Sequence, residues 1–248
     1  MVEQHLVPML EVLDRNKDVV SLLIAFTEED VNIYNHSLQV GLLSYYIATW
    51  LGHPPNECYE ISKAGYLHDI GKSQVRQSLR NREHELTGEE REEMNRHTSY
   101  GYDIIRRSTG EEVTALVALQ HHEREDGSGY PAGLRKEKIH PYAEIVAVAN
   151  EYIAMTSPDA SGSRQDILTV LRNIYNLGFG KLNEKAVQAL TTNLLPNFIG
   201  KKVKLSNGET ATIVWNNPTD IFKPLVQIDE WQFRDLSRER NIDLVHVF

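Results

Sequence analysis

Two short strings constrain what this chain can fold into: LHDIGK at Leu67–Lys72 and HHEREDGSGYP at His121–Pro131. An adjacent His-Asp pair offers one imidazole nitrogen and one carboxylate able to bridge two metal ions. Lys72, three residues after Asp69, can reach an anionic substrate oxygen. A second pair, His121-His122, lies far along the chain. For the pairs to act together, separate helices must meet at one point. The chemistry expected there is that of a two-metal phosphohydrolase.

Helical patterning dominates up to about residue 195. Thr27-Glu28-Glu29-Asp30 resembles a capping box that opens a long helix through about Leu51, ended by Gly52 and Pro54-Pro55. That helix carries two apolar stripes, one with Tyr34, Leu38 and Leu42, the other with Ile33, Val40 and Ile47, as expected of the central helix of a bundle. Further helices are expected from Asn56 to Gly71, from Thr87 (a second capping box, Thr87-Gly88-Glu89-Glu90) through His97 toward Arg107, and from Glu111 to Glu123. Arg124–His140 is rich in Gly, Pro and charge and reads as a loop. Pro141 suits the first residue of a helix to Met155, and two more helices follow near Ser163–Leu177 and Asn183–Leu194.

After Pro196 the period changes. KKVKLSNGETATIVWNN alternates around Asn207-Gly208, a strong hairpin signal, and PLVQID and DLVHVF add strand candidates. The expected fold class is mainly α, a helical bundle domain at 28–195 with a helical segment at 1–27 before it and a small β module at 196–248 after it.

At 248 residues, with 41% hydrophobic content, there is material for a real core. A single Cys58 excludes an intramolecular disulfide. The opening MVEQHLVPMLEVLDRNKD has no long apolar run, and no stretch approaches a membrane span, so a soluble cytoplasmic protein is the expectation. Net charge of −9 argues against a nucleic-acid polymer as partner but permits a small anionic substrate where metals supply local positive charge. The acidic excess lies before Pro196, since residues 196–248 hold seven Lys/Arg and seven Asp/Glu.

His36 sits on the second stripe of the central helix. A lone His on an apolar face is more often a satisfied core residue than a ligand, and the same holds for His97. His68-Asp69, followed by Gly-Lys, has few structural reasons to exist. Val113, Val117 and His121 share one helical face, so His121 is expected to point inward. Five histidines and one Asp on four expected helices suit ligation in a bundle core, and imidazole with carboxylate suits iron, manganese, zinc or cobalt.

With these strings in place, the chain resembles the HD-GYP domain, the bacterial branch of the HD phosphohydrolase superfamily. The resemblance covers roughly Asn32 to Ser157: LHDIGK, then LTGEE to YG at Leu86–Gly101, then HHEREDGSGYPAGL at His121–Leu134, then EIVAVAN at Glu144–Asn150. It implies an HD-type helical bundle that hydrolyses cyclic di-GMP to the linear dinucleotide, GMP or both. By position, His36, His68, Asp69, His97, His121 and His122 match the family's ligands for two divalent ions, iron or manganese first, with zinc, cobalt and nickel as alternatives. Asp69 and Lys72 take the catalytic positions. Lys72, Gly129, Tyr130 and Pro131 take the substrate-binding ones.

The sequence also departs from the pattern. Asn150 stands where the family has a metal-binding Asp, and a neutral amide oxygen is a weaker ligand for a hard cation. Ile153-Ala154 replaces an Asp-Ala pair. PDASGSR after Thr156-Ser157 replaces an Arg-Pro-Tyr-Arg-like segment, with Arg164 a poor substitute. Asn32 stands where some members have a Glu that helps hold a third metal. Besides a phosphodiesterase, the departures leave open a non-catalytic cyclic di-GMP sensor or scaffold. Action on another cyclic dinucleotide, or di-iron oxygenase chemistry, is a lesser alternative. The N-terminal segment is expected to pack on the domain or form a dimer helix, and the β module is a second route to a homodimer. Trp215 and Trp231 are expected to be core or interface residues, with the core favoured. No sensor domain is evident, so regulation is expected from a partner, the β module or substrate level.

Overall fold

A computed structural model describes residues 33–80, 86–158, 163–239 and 241–248, together with Leu6 and Pro8. The capping box at Thr27–Asp30, Asn32 and almost all of the N-terminal segment lie outside the described residues. Leu6 is buried against Leu38 and Leu42.

The long first helix, α1 (Ile33–Trp50), packs on α2 (Pro55–Leu67) and on α7 (Pro141–Thr156). Its two apolar stripes explain this: Leu38 and Leu42 face one cluster, Val40, Leu43 and Ile47 the main core. Helix α7 is buried almost all round, through Ala143, Val146, Val148, Ala149 and Ile153, which is why its sequence is so rich in small and branched apolar residues. Pro141 occupies its first turn, and His140 caps it by accepting the Tyr142 amide on Nδ1 at 3.1 Å.

Several expected helices are shorter than their patterns or divided: those expected at Glu111–Glu123 and Ser163–Leu177 span Glu112–Gln120 and Ile167–Leu177. The helix expected from Asn56 to Gly71 stops at Leu67, and Ile70–Gln74 forms a 3₁₀ turn instead. A short α3 (Gln77–Arg80) follows. The helix expected from Thr87 is divided at Arg96 into α4 (Gly88–Asn95) and α5 (His97–Thr109). The Thr87 box itself forms: its Oγ1 accepts from the Glu90 amide at 3.3 Å, while Glu90 accepts from the Thr87 amide at 3.0 Å. Helices α6 (Glu112–Gln120), α8 (Ile167–Leu177) and α9 (Glu184–Leu194) complete the bundle.

The C-terminal strands are β1 (Lys202–Leu205), β2 (Thr210–Trp215), β3 (Leu225–Gln227), β4 (Phe233–Asp235) and β5 (Leu244–Val247). They form one antiparallel sheet in the order β4-β3-β2-β1-β5. The Asn207-Gly208 turn joins β1 to β2, with Gly208 at φ 91° as such a turn requires. Strand β4 was not apparent from the alternation. Val203, Leu205, Ile213, Val226 and Leu244 belong to the same buried cluster as the helices. The expectation for the tryptophans is wrong: Trp215 is 50% and Trp231 89% exposed. Trp215 is the last residue of β2, past the register shift that follows Ile213, and Trp231 lies in the β3–β4 connection. Among the described residues, no helix is long and apolar enough to cross a membrane.

Candidate metal centre

The C-terminal end of α2, the start of α5 and the C-terminal end of α6 converge on Asp69. Its carboxylate is 2% exposed. His68 Nε2 lies 3.3 Å from Oδ2, and His97 and His121 Nε2 lie 3.3 and 3.8 Å from Oδ1. His36, from α1, places Nε2 4.0 Å from Oδ2. Two sets of donor atoms therefore overlap on Asp69: His36 and His68 on one side, His97, His121 and His122 on the other.

Three of these rings are oriented in one way. The Nδ1–H groups of His68, His97 and His121 donate to the carbonyls of Gly65, Met94 and Ala118, each three residues earlier, at 2.6, 2.7 and 2.9 Å. The proton on Nδ1 leaves a lone pair on each Nε2. Consequently the Nε2 atoms of His97 and His121, 3.3 Å apart, face each other as two acceptors. His68 Nε2 and Asp69 Oδ1 are buried without a hydrogen-bond partner. Buried acceptors directed at one another and at a carboxylate repel unless a cation sits among them. This donor set fits divalent metal ions.

The electrostatics agree. Burial pushes His36 down to about 4, with the neighbouring His68 adding to the shift. Burial also lowers His97, and holds His121 and His122 well below the usual imidazole range. Neutral imidazole is the ligating form. Burial opposes ionisation of Asp69, but His68 and Lys72 outweigh it and keep the carboxyl well below its usual range. Lys72 Nζ donates to Asp69 Oδ2 at 2.5 Å.

The Gly-Tyr-Pro segment covers this centre from the loop after α6. Tyr130 stacks on His122, with ring centroids 4.5 Å apart and planes at 18°. Its amide donates to the His122 carbonyl at 3.2 Å. Only glycine fits at 129, because a Cβ there would come within 2.4 Å of the His122 carbonyl oxygen and 2.5 Å of Glu123 Cα. Pro131 is exposed. Burial, aided by Asp69, pushes the Tyr130 phenol upward, so it stays protonated at neutral pH. Lys72, His97, His122 and Tyr130 line an open cavity of about 300 Å³ beside the centre.

Asn150, buried on α7, reaches the His36 side of the site: its Oδ1 lies 2.9 Å from His36 Nε2. Since Oδ1 only accepts, this contact places a proton on His36 Nε2.

Sequence reasoning missed Glu123. Its carboxylate is 2% exposed and accepts the amides of Ala132 and Leu134, both at 2.8 Å, clamping the loop just past Tyr130-Pro131. Its place directly after His121-His122 was the available signal, but nothing in the spacing told that its partners lie nine and eleven residues on. Glu123→Ala is expected to destabilise the protein by about 2 kcal/mol, since two amides lose their acceptor; Glu123→Gln, which keeps one acceptor, should lose about half of that. Wild-type denaturant midpoints for both variants would contradict the clamp.

Where α7 meets the loop, half-buried Glu144 in its first turn faces Glu125, and the two accept from Asn183 Nδ2, at 3.0 and 3.3 Å respectively. Burial, then the charge of Glu125, raises Glu144 from 4.5 to about 7. The folded value lies above the unfolded one, so the contribution to stability is fully present below pH 4.5 and disappears as the pH rises through 7. Glu144→Gln fixes the neutral form. It should leave stability unchanged at acid pH and, discounted for partial exposure, raise it by about 1 kcal/mol at alkaline pH in urea titrations. Equal effects at both pH values would refute this.

Comparison with known proteins places the chain. A family model for the HD domain matches residues 18–170, and the chain belongs to the HD domain family. Within it, the chain is an HD-GYP protein. A cyclic di-GMP phosphodiesterase of Thermotoga maritima is 38% identical over 168 residues, covering 66% of this chain and 45% of the relative. The cyclic di-GMP phosphodiesterase response regulator RpfG of Xanthomonas campestris is 37% identical over 158 residues, 62% of this chain and 42% of the relative. The chain thus spans about half the length of the curated relatives it matches. Among solved structures, Bd1817, an HDG"Y"P protein from Bdellovibrio bacteriovorus, shares the fold with a TM-score of 0.53 at 22% identity, over 64% of this chain and 51% of that one.

Proposed function

We propose that this chain is a metal-dependent phosphodiesterase that hydrolyses cyclic di-GMP to the linear dinucleotide, GMP or both. The observation that carries the reading is the buried Asp69 carboxylate shared by two sets of histidine donors, in a chain whose relatives bear that activity in their names. His36 and His68 would hold one divalent ion, His97, His121 and His122 the other, with Asp69 between them and iron or manganese as the ions favoured. Bound there, the ions lower the pKa of a coordinated water and offset charge on the phosphoryl oxygens.

The protein's own groups then have distinct tasks. Lys72, held against Asp69 and lining the cavity, offers its remaining N–H bonds to a phosphate oxygen. The protonated Tyr130 phenol can donate but not act as a base. Glu123 and Gly129 set the loop that presents it.

A second reading, a cyclic di-GMP sensor or scaffold without turnover, is favoured by the His36–Asn150 contact, which occupies a ligand nitrogen. Protein loaded with manganese or iron and incubated with cyclic di-GMP separates the two: product release supports the first, binding without product the second. Asn150→Asp is expected to strengthen metal binding at the His36 side by about tenfold or more in a competition titration, since a carboxylate replaces a neutral amide. Unaltered affinity would mean that the amide contributes nothing adverse.

A further inference from the structure

The cavity beside the centre holds a cation that the account so far leaves idle. Arg80, the last residue of α3, lines it together with Lys72, Met94, His122 and Tyr130. Its guanidinium makes no hydrogen bond or ion pair with any described residue. Nearby arginines are committed: Arg76 binds Glu93 through two contacts, at 2.6 and 2.5 Å, and Arg124 binds Glu151 at 2.6 Å. Arg80 is held at the rim by its neighbour Leu79, which is 3% exposed. His97 and His122 belong to the candidate metal-holding set, and Lys72 already gives one N–H to Asp69. Among the described lining residues, Arg80 is therefore the one cation wholly available to a ligand.

A cyclic dinucleotide brings two phosphodiesters, each singly charged, into a protein of net charge −9. Only one of them can lie at Asp69 and Lys72 for reaction. The other enters a repulsive field unless a local cation receives it. A guanidinium fork matches the paired oxygens of a phosphodiester.

Resting on the phosphodiesterase reading, we propose that Arg80 is a substrate-binding residue that takes the second, non-reacting phosphate of the cyclic dinucleotide. It thereby sets a preference for substrates with two phosphates over those with one.

The test compares wild-type, R80A and R80K forms of the 248-residue chain, loaded with manganese. Cyclic di-GMP is the two-phosphate ligand and bis(p-nitrophenyl) phosphate the one-phosphate substrate. R80A should raise Kd and KM for cyclic di-GMP about 10- to 100-fold, the size of a charge-assisted contact, with kcat within about twofold. Cleavage of bis(p-nitrophenyl) phosphate should be unchanged, R80K should recover part of the affinity, and the salt dependence of binding should weaken in R80A. Unchanged Kd and KM for cyclic di-GMP in R80A would overturn the proposal, as would equal losses on both substrates. If wild-type protein binds cyclic di-GMP without cleaving it, the phosphodiesterase reading fails while the Kd comparison still decides on Arg80. Absence of wild-type binding overturns both.

Discussion

Asp69→Ala is expected to abolish hydrolysis of cyclic di-GMP and to remove most of the bound metal. Both donor sets meet on this one carboxylate, so its loss weakens both ion positions at once, unlike loss of any single histidine. The fall in kcat should be on the order of 10³-fold or more, exceeding the effect of deleting one electrostatic donor. The truncation also leaves Lys72 without its partner and the His97 and His121 Nε2 pair without a neighbouring negative charge. Elemental analysis and a turnover assay on the same preparation check this. Full metal content with wild-type turnover would remove Asp69 from the centre. The carboxyl is held below its usual range in the folded chain. Its ionised form therefore contributes stability above the unfolded value, and that contribution is lost as the pH falls through the folded value.

Gly71→Ala should be nearly as damaging, through the backbone. A Cβ at residue 71 would lie 1.9 Å from the His97 carbonyl oxygen and 2.4 Å from the Gly101 nitrogen. Neither is the mobile end of a side chain, so α5 must move as a whole, and His97 with it. A cost of about 3 kcal/mol is expected. For a domain of this size that corresponds to a melting temperature lower by about 6–12 °C. Metal-free protein is the right sample, because bound ions would mask part of the loss. A wild-type melting curve for Gly71→Ala would show that the approach of α5 to the turn after α2 is looser than described.

The glycine in LHDIGK thus has a reason in the fold, and that reason was hidden in the sequence because its partner lies on another helix. The same is true of Glu123 and its loop amides. What could be read directly were local devices: the Thr87 capping box, Pro141 at a helix start and the Asn207-Gly208 turn. His121, just past α6, is buried as expected, but Val113, assigned to the same face, is 42% exposed. The break at Arg96 could not be read, since the residues around it are compatible with a continuous helix. The break falls directly before His97, the first residue of α5, whose Nε2 lies 3.3 Å from Asp69 Oδ1. The tryptophans misled for a different reason: large apolar side chains weigh toward burial, but Trp215 follows the register shift after Ile213 and Trp231 sits in a connection between strands. Asn150 stood out in the sequence, but not that its amide would engage His36.

The Nδ1–H bonds of His68, His97 and His121 reach back into the turn that carries each ring, so ring orientation arrives with the helix itself. The socket is built before anything enters it. Small zinc modules gain their fold from the ion; this bundle has a core of its own and should remain folded when stripped by a chelator. If the site holds ions as proposed, their entry and exit would involve little rearrangement of the chain, and one transition metal could replace another without refolding. Which ion such a socket takes would then be a matter of supply and ligand affinity, set by the composition of the medium in which the folded protein finds itself.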